Sequence, residues 1–175
     1  HLNETVNVGT LSRLNPVQKG NKRFHQGYVK LVHPEKFIGD YSEKVGVPYR
    51  SGLEYRFIKT IDTSEVCVRW TYEHDAFIIP YVSPIDHRQH RYYPDFYVEV
   101  RLYNGEMKRY LVEVKAQKDT QKPDPKKFKD RSSYAYQLRQ SLLVEVKRRA
   151  AENWCKQHGL QYLFVTENFF SKPFN

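Results

Sequence analysis

The chain has 175 residues, enough for one compact domain and too few for two independent cores. Lys and Arg total 29 against 20 Asp and Glu, and the formal net charge of +9 favours a polyanionic partner such as nucleic acid. The 2 cysteines exclude a disulfide framework and a zinc site built on cysteines, and no apolar run is long enough for a membrane-spanning helix.

The first 50 residues have the composition of an arm. They mix Gly, Pro, Asn and Lys without a helical or strand period, and Lys and Arg outnumber Asp and Glu among them. We therefore predict an extended basic N-terminal arm over 1–50 that lies along a domain formed by 51–175. The first ten residues lack the apolar stretch of a signal peptide, so we expect a protein inside the cell or packed in a particle.

The domain begins with a short helix. Leu53, Phe57, Ile58 and Ile61 recur at helical spacing behind Ser51, which can cap the first helical turn. This pattern predicts a helix of about ten residues.

Segments rich in β-branched and aromatic residues follow, separated by turn-forming residues. They predict an antiparallel meander with strands in 66–72, 76–82, 92–103 and 108–116. A polar loop over 117–131, here called the lysine loop, comes next and contains prolines that stop a helix.

The C-terminal part predicts a helix and one more strand. Apolar residues four apart in 134–158 indicate a long amphipathic helix that ends at Gly159. We predict that the stretch 159–167 adds a strand parallel to an earlier one, because the helix provides the crossover. The fold class is therefore mixed α/β with the order α-β-β-β-α-β around a central mixed sheet.

Acidic residues on two neighbouring predicted strands form the main candidate site. Side chains alternate along a strand, so Glu113 and Lys115 share one face. The apolar sets of the two strands can be buried together only if the connecting loop has an odd number of residues or a bulge is present. A three-residue loop over 103–105, with Gly105 in the left-handed conformation, pairs Asp95 with Glu113.

Two opposed carboxylates suit Mg²⁺, which takes one or two carboxylates and completes its shell with water and phosphate oxygens. A nearby lysine can orient a water molecule and balance the charge of the transition state. Asp95, Glu113 and Lys115 thus fit metal-dependent phosphodiester hydrolysis. They also fit a solvated strand face with an ordinary cross-strand ion pair, and the pattern alone leaves both interpretations open.

These motifs resemble those of the PD-(D/E)xK nuclease superfamily. Pro94-Asp95 and Glu113-Val114-Lys115 are similar to its two strand motifs, and Glu54 is similar to the acidic residue on its preceding helix. Within the superfamily, residues from about 24 to 168 resemble the head completion nucleases of large tailed phages. They do so through runs such as HPEKFIGDY, PYRSGLEYRF and KRRAAENWCKQHG.

The resemblance implies a restriction-endonuclease-like core that cuts DNA with Mg²⁺, for which Mn²⁺ would substitute. It implies that Asp95, Glu113 and the backbone carbonyl of Val114 hold the metal, that Lys115 positions the water, and that Glu54 assists. It further implies a role at packaged genome ends, with portal and connector proteins of the head and neck as partners. The expected locations are the virion and the host cytoplasm.

Two residues keep alternative interpretations. Ser51 and Glu54 form the S-x-x-E pattern of a capping box, so Glu54 either caps the helix or, as the resemblance implies, faces the metal. Lys147 resembles a lysine that relatives carry on the long helix, and it either contacts a phosphate or faces solvent.

The lysine loop is the candidate DNA-binding element, because clustered cations beside a phosphodiesterase site provide affinity that does not depend on base sequence. Its cations are Lys118, Lys122, Lys126, Lys127, Lys129 and Arg131.

Two alternative functions stay open. One is a transposon-end endonuclease or a junction resolvase with the same core. The other is a structural connector protein of the virion whose nuclease activity is secondary or lost.

Overall fold

The structure is a computed structural model that describes residues 26–174. Its centre is a four-stranded mixed sheet in the order β3-β6-β7-β8, with one long helix on each face. The strands are β3 (Cys67–Tyr72), β6 (Phe96–Arg101), β7 (Met107–Val114) and β8 (Gln161–Val165). The first three strands pair antiparallel and β8 pairs parallel to β7, which confirms the predicted mixed α/β class.

Helix α1 spans Gly52–Thr63 and confirms the predicted first helix. It begins at Ser51, whose side chain accepts a hydrogen bond from the backbone N–H of Glu54 at 3.1 Å. Phe57, Ile58 and Ile61 are fully buried against one face of the central sheet. The helix therefore presents its first turn to the end of the sheet at which β6 begins.

Helix α2 spans Arg131–Gln157 and covers the other face. Ala151 and Cys155 are buried there against Tyr97 and Leu111 of the sheet. Gly159 has a φ of +68°, the left-handed conformation expected after the end of a helix, as predicted. Only the C-terminal half of α2 contains buried residues, whereas the N-terminal half extends beside the lysine loop.

The β6–β7 hairpin has the predicted register. Phe96 pairs with Val112, and the N–H of Leu102 donates to the carbonyl of Glu106 at 2.9 Å, which leaves a loop of three residues. Gly105 has a φ of +85°, a conformation that glycine adopts without a steric penalty. The odd-length loop is therefore confirmed, and with it the parity that places the apolar residues of both strands on common faces.

The predicted strand in 76–82 does not join the central sheet. Its observed part, β4 (Ile79–Val82), pairs only with β5 (Gln89–Tyr92) in a separate two-stranded sheet inserted between β3 and β6. Pro80 explains the difference in part, because proline has no N–H to donate and is confined to edge strands. The continuous four-strand meander was therefore wrong.

The described part of the predicted arm packs against the domain. Strands β1 (Gly27–Val29) and β2 (Val47–Tyr49) form a small antiparallel sheet that the sequence analysis did not predict. Val29, Leu31 and Phe37 are buried in the same core as α1. The predicted boundary at residue 50 stays a prediction, and residues 1–25 lie outside the described part of the chain.

Within residues 26–174, no helix is both long enough and apolar enough to span a membrane.

Candidate active site

Asp95 and Glu113 lie at the end of the central sheet where β6 begins and β7 ends. Phe96 pairs with Val112, so the same register continued by one residue places Asp95 opposite Glu113. One carboxylate oxygen of Asp95 accepts a hydrogen bond from the backbone N–H of Val114 at 2.8 Å. Both carboxylates are partly buried, so they are held in place and still accessible.

Glu54 completes an acidic group that we call the carboxylate pocket: Glu54, Asp95 and Glu113. Its carboxylate accepts a hydrogen bond from the backbone N–H of Arg50 at 2.7 Å, one residue before the Ser51 amide that a standard capping box would use. The negative charge of Glu54 also raises the pKa of both other carboxyls. Glu54 therefore supports the start of α1 and adds charge to the pocket at the same time.

The carboxylate pocket holds its acids in an unfavourable environment. Burial raises the pKa of Asp95 well above its usual range, and the neighbouring carboxylates raise it further. Burial also raises the pKa of Glu113 to about 6, although a hydrogen bond from Tyr92 and the charges of Lys115 and Lys147 oppose the shift. The positive charge of a bound divalent cation would offset the repulsion among these carboxylates. It would therefore favour their charged forms.

Two lysines line a cavity of about 50 Å³ beside Glu113. Lys115 and Lys147 both belong to its wall, and the charge of each lowers the pKa of Glu113. The Lys147 Nζ lies 5.7 Å from the ring centroids of both Tyr81 and Tyr92, a cation–π arrangement that directs the ammonium towards the site. Lys147 therefore faces the cavity rather than bulk solvent.

Two tyrosines, the buried Tyr92 and the partly buried Tyr162, support Glu113 and were missed by the sequence analysis. The Tyr92 hydroxyl donates a hydrogen bond to a carboxylate oxygen of Glu113, and the hydroxyl of Tyr162 lies 3.0 Å from that of Tyr92. Tyr92 ends β5 and Tyr162 belongs to β8. No local pattern in the sequence points to them, because their contact with Glu113 depends on the inserted hairpin and on the parallel strand.

An ion pair on the other side of Asp95 was also missed. The guanidinium of Arg50 donates to the carboxylate of Glu73 at 2.8 Å, and both residues line a cavity of about 20 Å³ with Glu54 and Asp95. The N–H of Glu73 donates to the backbone carbonyl of Asp95 at 3.0 Å. Arg50 and Glu73 thus connect α1, the end of β3 and the start of β6.

Part of the lysine loop lies beside the pocket. A groove of about 700 Å³, here called the lysine groove, is lined by Lys115 and by Lys118, Lys122 and Lys127 of that loop. The other predicted DNA-binding cations, Lys126, Lys129 and Arg131, are exposed but lie outside the lining of this groove.

The donor set determines how a metal could be held. Among residues 26–174, no group of three or more His, Cys, Asp or Glu side chains has an arrangement suited to a metal ion. The carboxylates of Asp95 and Glu113 and the backbone carbonyl of Val114, the residue after Glu113, provide oxygen ligands only. Mg²⁺ matches such a set, because it commonly binds one or two carboxylates and keeps several waters.

Comparison with known families gives one match. A family model described as "TnsA-like endonuclease N terminal" matches residues 65–167, a segment that contains β3 to β8 and α2. The matched segment includes Asp95, Glu113, Lys115 and Lys147, whereas Glu54 precedes it. A search of curated proteins finds no match.

Proposed function

The chain belongs to the TnsA-like N-terminal endonuclease family, a restriction-endonuclease-like family, and we propose that it is a divalent-metal-dependent DNA endonuclease. Family membership makes the protein a nuclease, a hydrolase with DNA as its substrate. The observation that carries the proposal is the register of β6 and β7, which sets Asp95 against Glu113 within the matched segment.

In the proposed mechanism, Asp95, Glu113 and the Val114 carbonyl would hold Mg²⁺, with Mn²⁺ as a substitute. When bound, the metal would polarise the scissile phosphate and acidify a water molecule. Lys115 lies on the same strand face as Glu113, where its ammonium orients the attacking water and balances developing negative charge. Lys147, on α2, provides a second positive charge in the lining of the same cavity.

Glu54 has a supporting role in this proposal. Its carboxylate adds negative charge beside Asp95 and is fixed by the Arg50 amide. It would strengthen cation binding or hold a metal-bound water, with its second oxygen as the acceptor.

We infer the biological setting from the family match. Of the settings considered above, the transposon-end endonuclease fits a match to a TnsA-like endonuclease. The phage head completion role, with head and neck proteins as partners and the virion as location, rests only on the sequence resemblance over residues 24–168. A connector protein without activity is disfavoured, because Asp95, Glu113 and Lys115 all retain side chains able to do the chemistry.

Plasmid cleavage tests the activity. The purified chain is incubated with supercoiled plasmid in Mg²⁺, in Mn²⁺ and in EDTA, and nicked and linear products are measured. We expect cleavage with either metal, none in EDTA, and a loss of about 100-fold or more for Lys115→Ala. The matched control is Lys108→Ala at the opposite end of the same strand. Equal cleavage by both variants, or cleavage in EDTA, would contradict the proposal.

A second experiment separates the two settings. Cleavage is measured on linear DNA carrying transposon ends, with and without an added transposase. Infectivity is measured for particles that carry Lys115→Ala. Faster cleavage at the transposon ends when the transposase is present supports the transposon-end role. Loss of infectivity with normal particle assembly supports the head completion role instead.

A further inference from the structure

The lysine groove lies next to the proposed catalytic cavity. Lys115, Gln140 and Val144 line both spaces, so the two meet at these side chains. One side of the groove is the lysine loop and the other is the N-terminal half of α2. A DNA strand whose phosphate lies at Lys115 can therefore continue into the groove without leaving the surface.

The groove combines positive charge with aromatic rings. Four lysines line it against two aspartates, Asp119 and Asp124, and the side chain of Asp124 accepts a hydrogen bond from the Lys126 N–H. Tyr136 is 54% exposed on the wall of the groove, and Phe128 is held edge-on by Tyr134 at a centroid distance of 5.7 Å.

Positive charge together with exposed aromatic rings favours unpaired DNA over duplex DNA. The backbone of a duplex needs only cations, since its bases already stack on one another. Unpaired bases expose their faces, and proteins that bind single strands provide a cationic groove with aromatic rings on which those bases stack. Gln137 and Gln140 add amide donors and acceptors on the same wall.

We infer that the lysine groove binds an unpaired DNA strand next to the scissile phosphate, so that the favoured substrate carries a single-stranded tail or branch beside the cut. Lys118, Lys122 and Lys127 contact its phosphates, and Tyr136 stacks on one of its bases. The inference rests on the proposed DNA endonuclease function and specifies its substrate.

Binding without cleavage tests the inference. The full chain is titrated in EDTA with three fluorescent DNAs of one core sequence: a blunt duplex, the same duplex with a 5′ tail, and the same duplex with a 3′ tail. We expect at least one tailed duplex to bind about tenfold more tightly than the blunt one. Stacking of one base on an aromatic ring contributes a binding free energy of this size. Equal affinities for all three DNAs would overturn the inference.

The variants locate the effect. Tyr136→Ala is expected to remove the tenfold preference and leave blunt-duplex affinity within about twofold, whereas Tyr136→Phe keeps the preference because the ring remains. The matched control is Tyr103→Ala, a tyrosine 91% exposed in the β6–β7 turn at the far end of β7. An unchanged preference in Tyr136→Ala would overturn the inference. Because these are binding measurements, they are independent of the plasmid assay, whose failure would reject the endonuclease itself.

Discussion

The carboxylate pocket and the lysine groove meet at Lys115, yet they are built from different parts of the fold. The pocket lies at strand ends and at the first turn of α1, and each of its acids accepts a hydrogen bond from a defined donor. The groove is lined on one side by α2 and on the other by a loop whose regular structure is limited to two short 3₁₀ turns. Chemistry requires atoms fixed within about 0.5 Å, whereas attraction of a polyanion requires only nearby charge.

This difference predicts separate effects in the two regions. Substitutions in the pocket should change the rate of the chemical step, and those in the groove should change affinity.

The largest effect is expected for Asp95→Asn in the pocket. We expect cleavage to fall by about 1,000-fold, because the variant loses a metal-binding charge. The protein without metal should become more stable, because the substitution removes a carboxyl group whose pKa burial raises strongly. The amide oxygen of the asparagine can still accept the hydrogen bond from the Val114 N–H. Thermal melting in EDTA and the plasmid assay measure the two outcomes. A destabilised variant would show that Asp95 has a mainly structural role.

The second prediction concerns the pH dependence of stability. Burial raises the pKa of Glu113 from 4.5 to about 6, so between these values the folded state binds more protons than the unfolded state. The free energy of unfolding should therefore fall as pH rises through this window, and Glu113 by itself contributes on the order of 2 kcal/mol to that fall. Denaturant titrations in EDTA from pH 4 to pH 7 measure how the free energy of unfolding changes with pH.

Glu113→Gln provides the control for this pH effect. The variant should lose the part of the slope between pH 4.5 and about 6 that Glu113 contributes, since the amide does not titrate there. Asp95 and Glu54, whose pKa values burial also raises, should keep the rest. An identical slope in both proteins would assign the pH dependence to another group. Addition of Mg²⁺ should stabilise the natural protein more above pH 6, where Glu113 is charged, than below it.

A smaller effect is expected for Tyr92→Phe. The hydroxyl of Tyr92 orients Glu113 and lowers its pKa, so its removal should reduce kcat by about tenfold and move the acid limb of the pH–rate profile to higher pH. Tyr110→Phe, in the middle of β7, is the matched control. A fall in kcat without any movement of the acid limb would contradict the positioning role.

The smallest effect is expected in the lysine groove. The double variant Lys122→Ala/Lys127→Ala should raise KM about threefold and leave kcat within about twofold. The slope of log affinity against log salt concentration should show about two fewer counterions released on DNA binding. Lys126→Ala/Lys129→Ala removes two exposed cations of the same loop that lie outside the groove lining. Equal effects of the two double variants would mean that only the charge of the loop matters and not the groove.

Much of the fold was predictable because its signals are local. Helix α1 follows from one capping serine and an apolar stripe, and the pairing of β6 with β7 follows from parity and a three-residue turn. The same parity places Asp95 opposite Glu113. By contrast, the sequence gives no local reason for Tyr92 to contact Glu113, because the contact depends on how the β4–β5 hairpin folds back over the sheet.

The amino-acid sequence by itself determined the element types, the register of the central hairpin and the acidic and basic residues available for catalysis. These follow from backbone sterics and side-chain periodicity over a few residues. Only the tertiary structure decided that Glu54 binds the Arg50 amide, that two tyrosines support Glu113, and that one groove joins the lysine loop to Lys115. Such contacts join segments distant in the chain, and their geometry depends on how the helices and strands pack together.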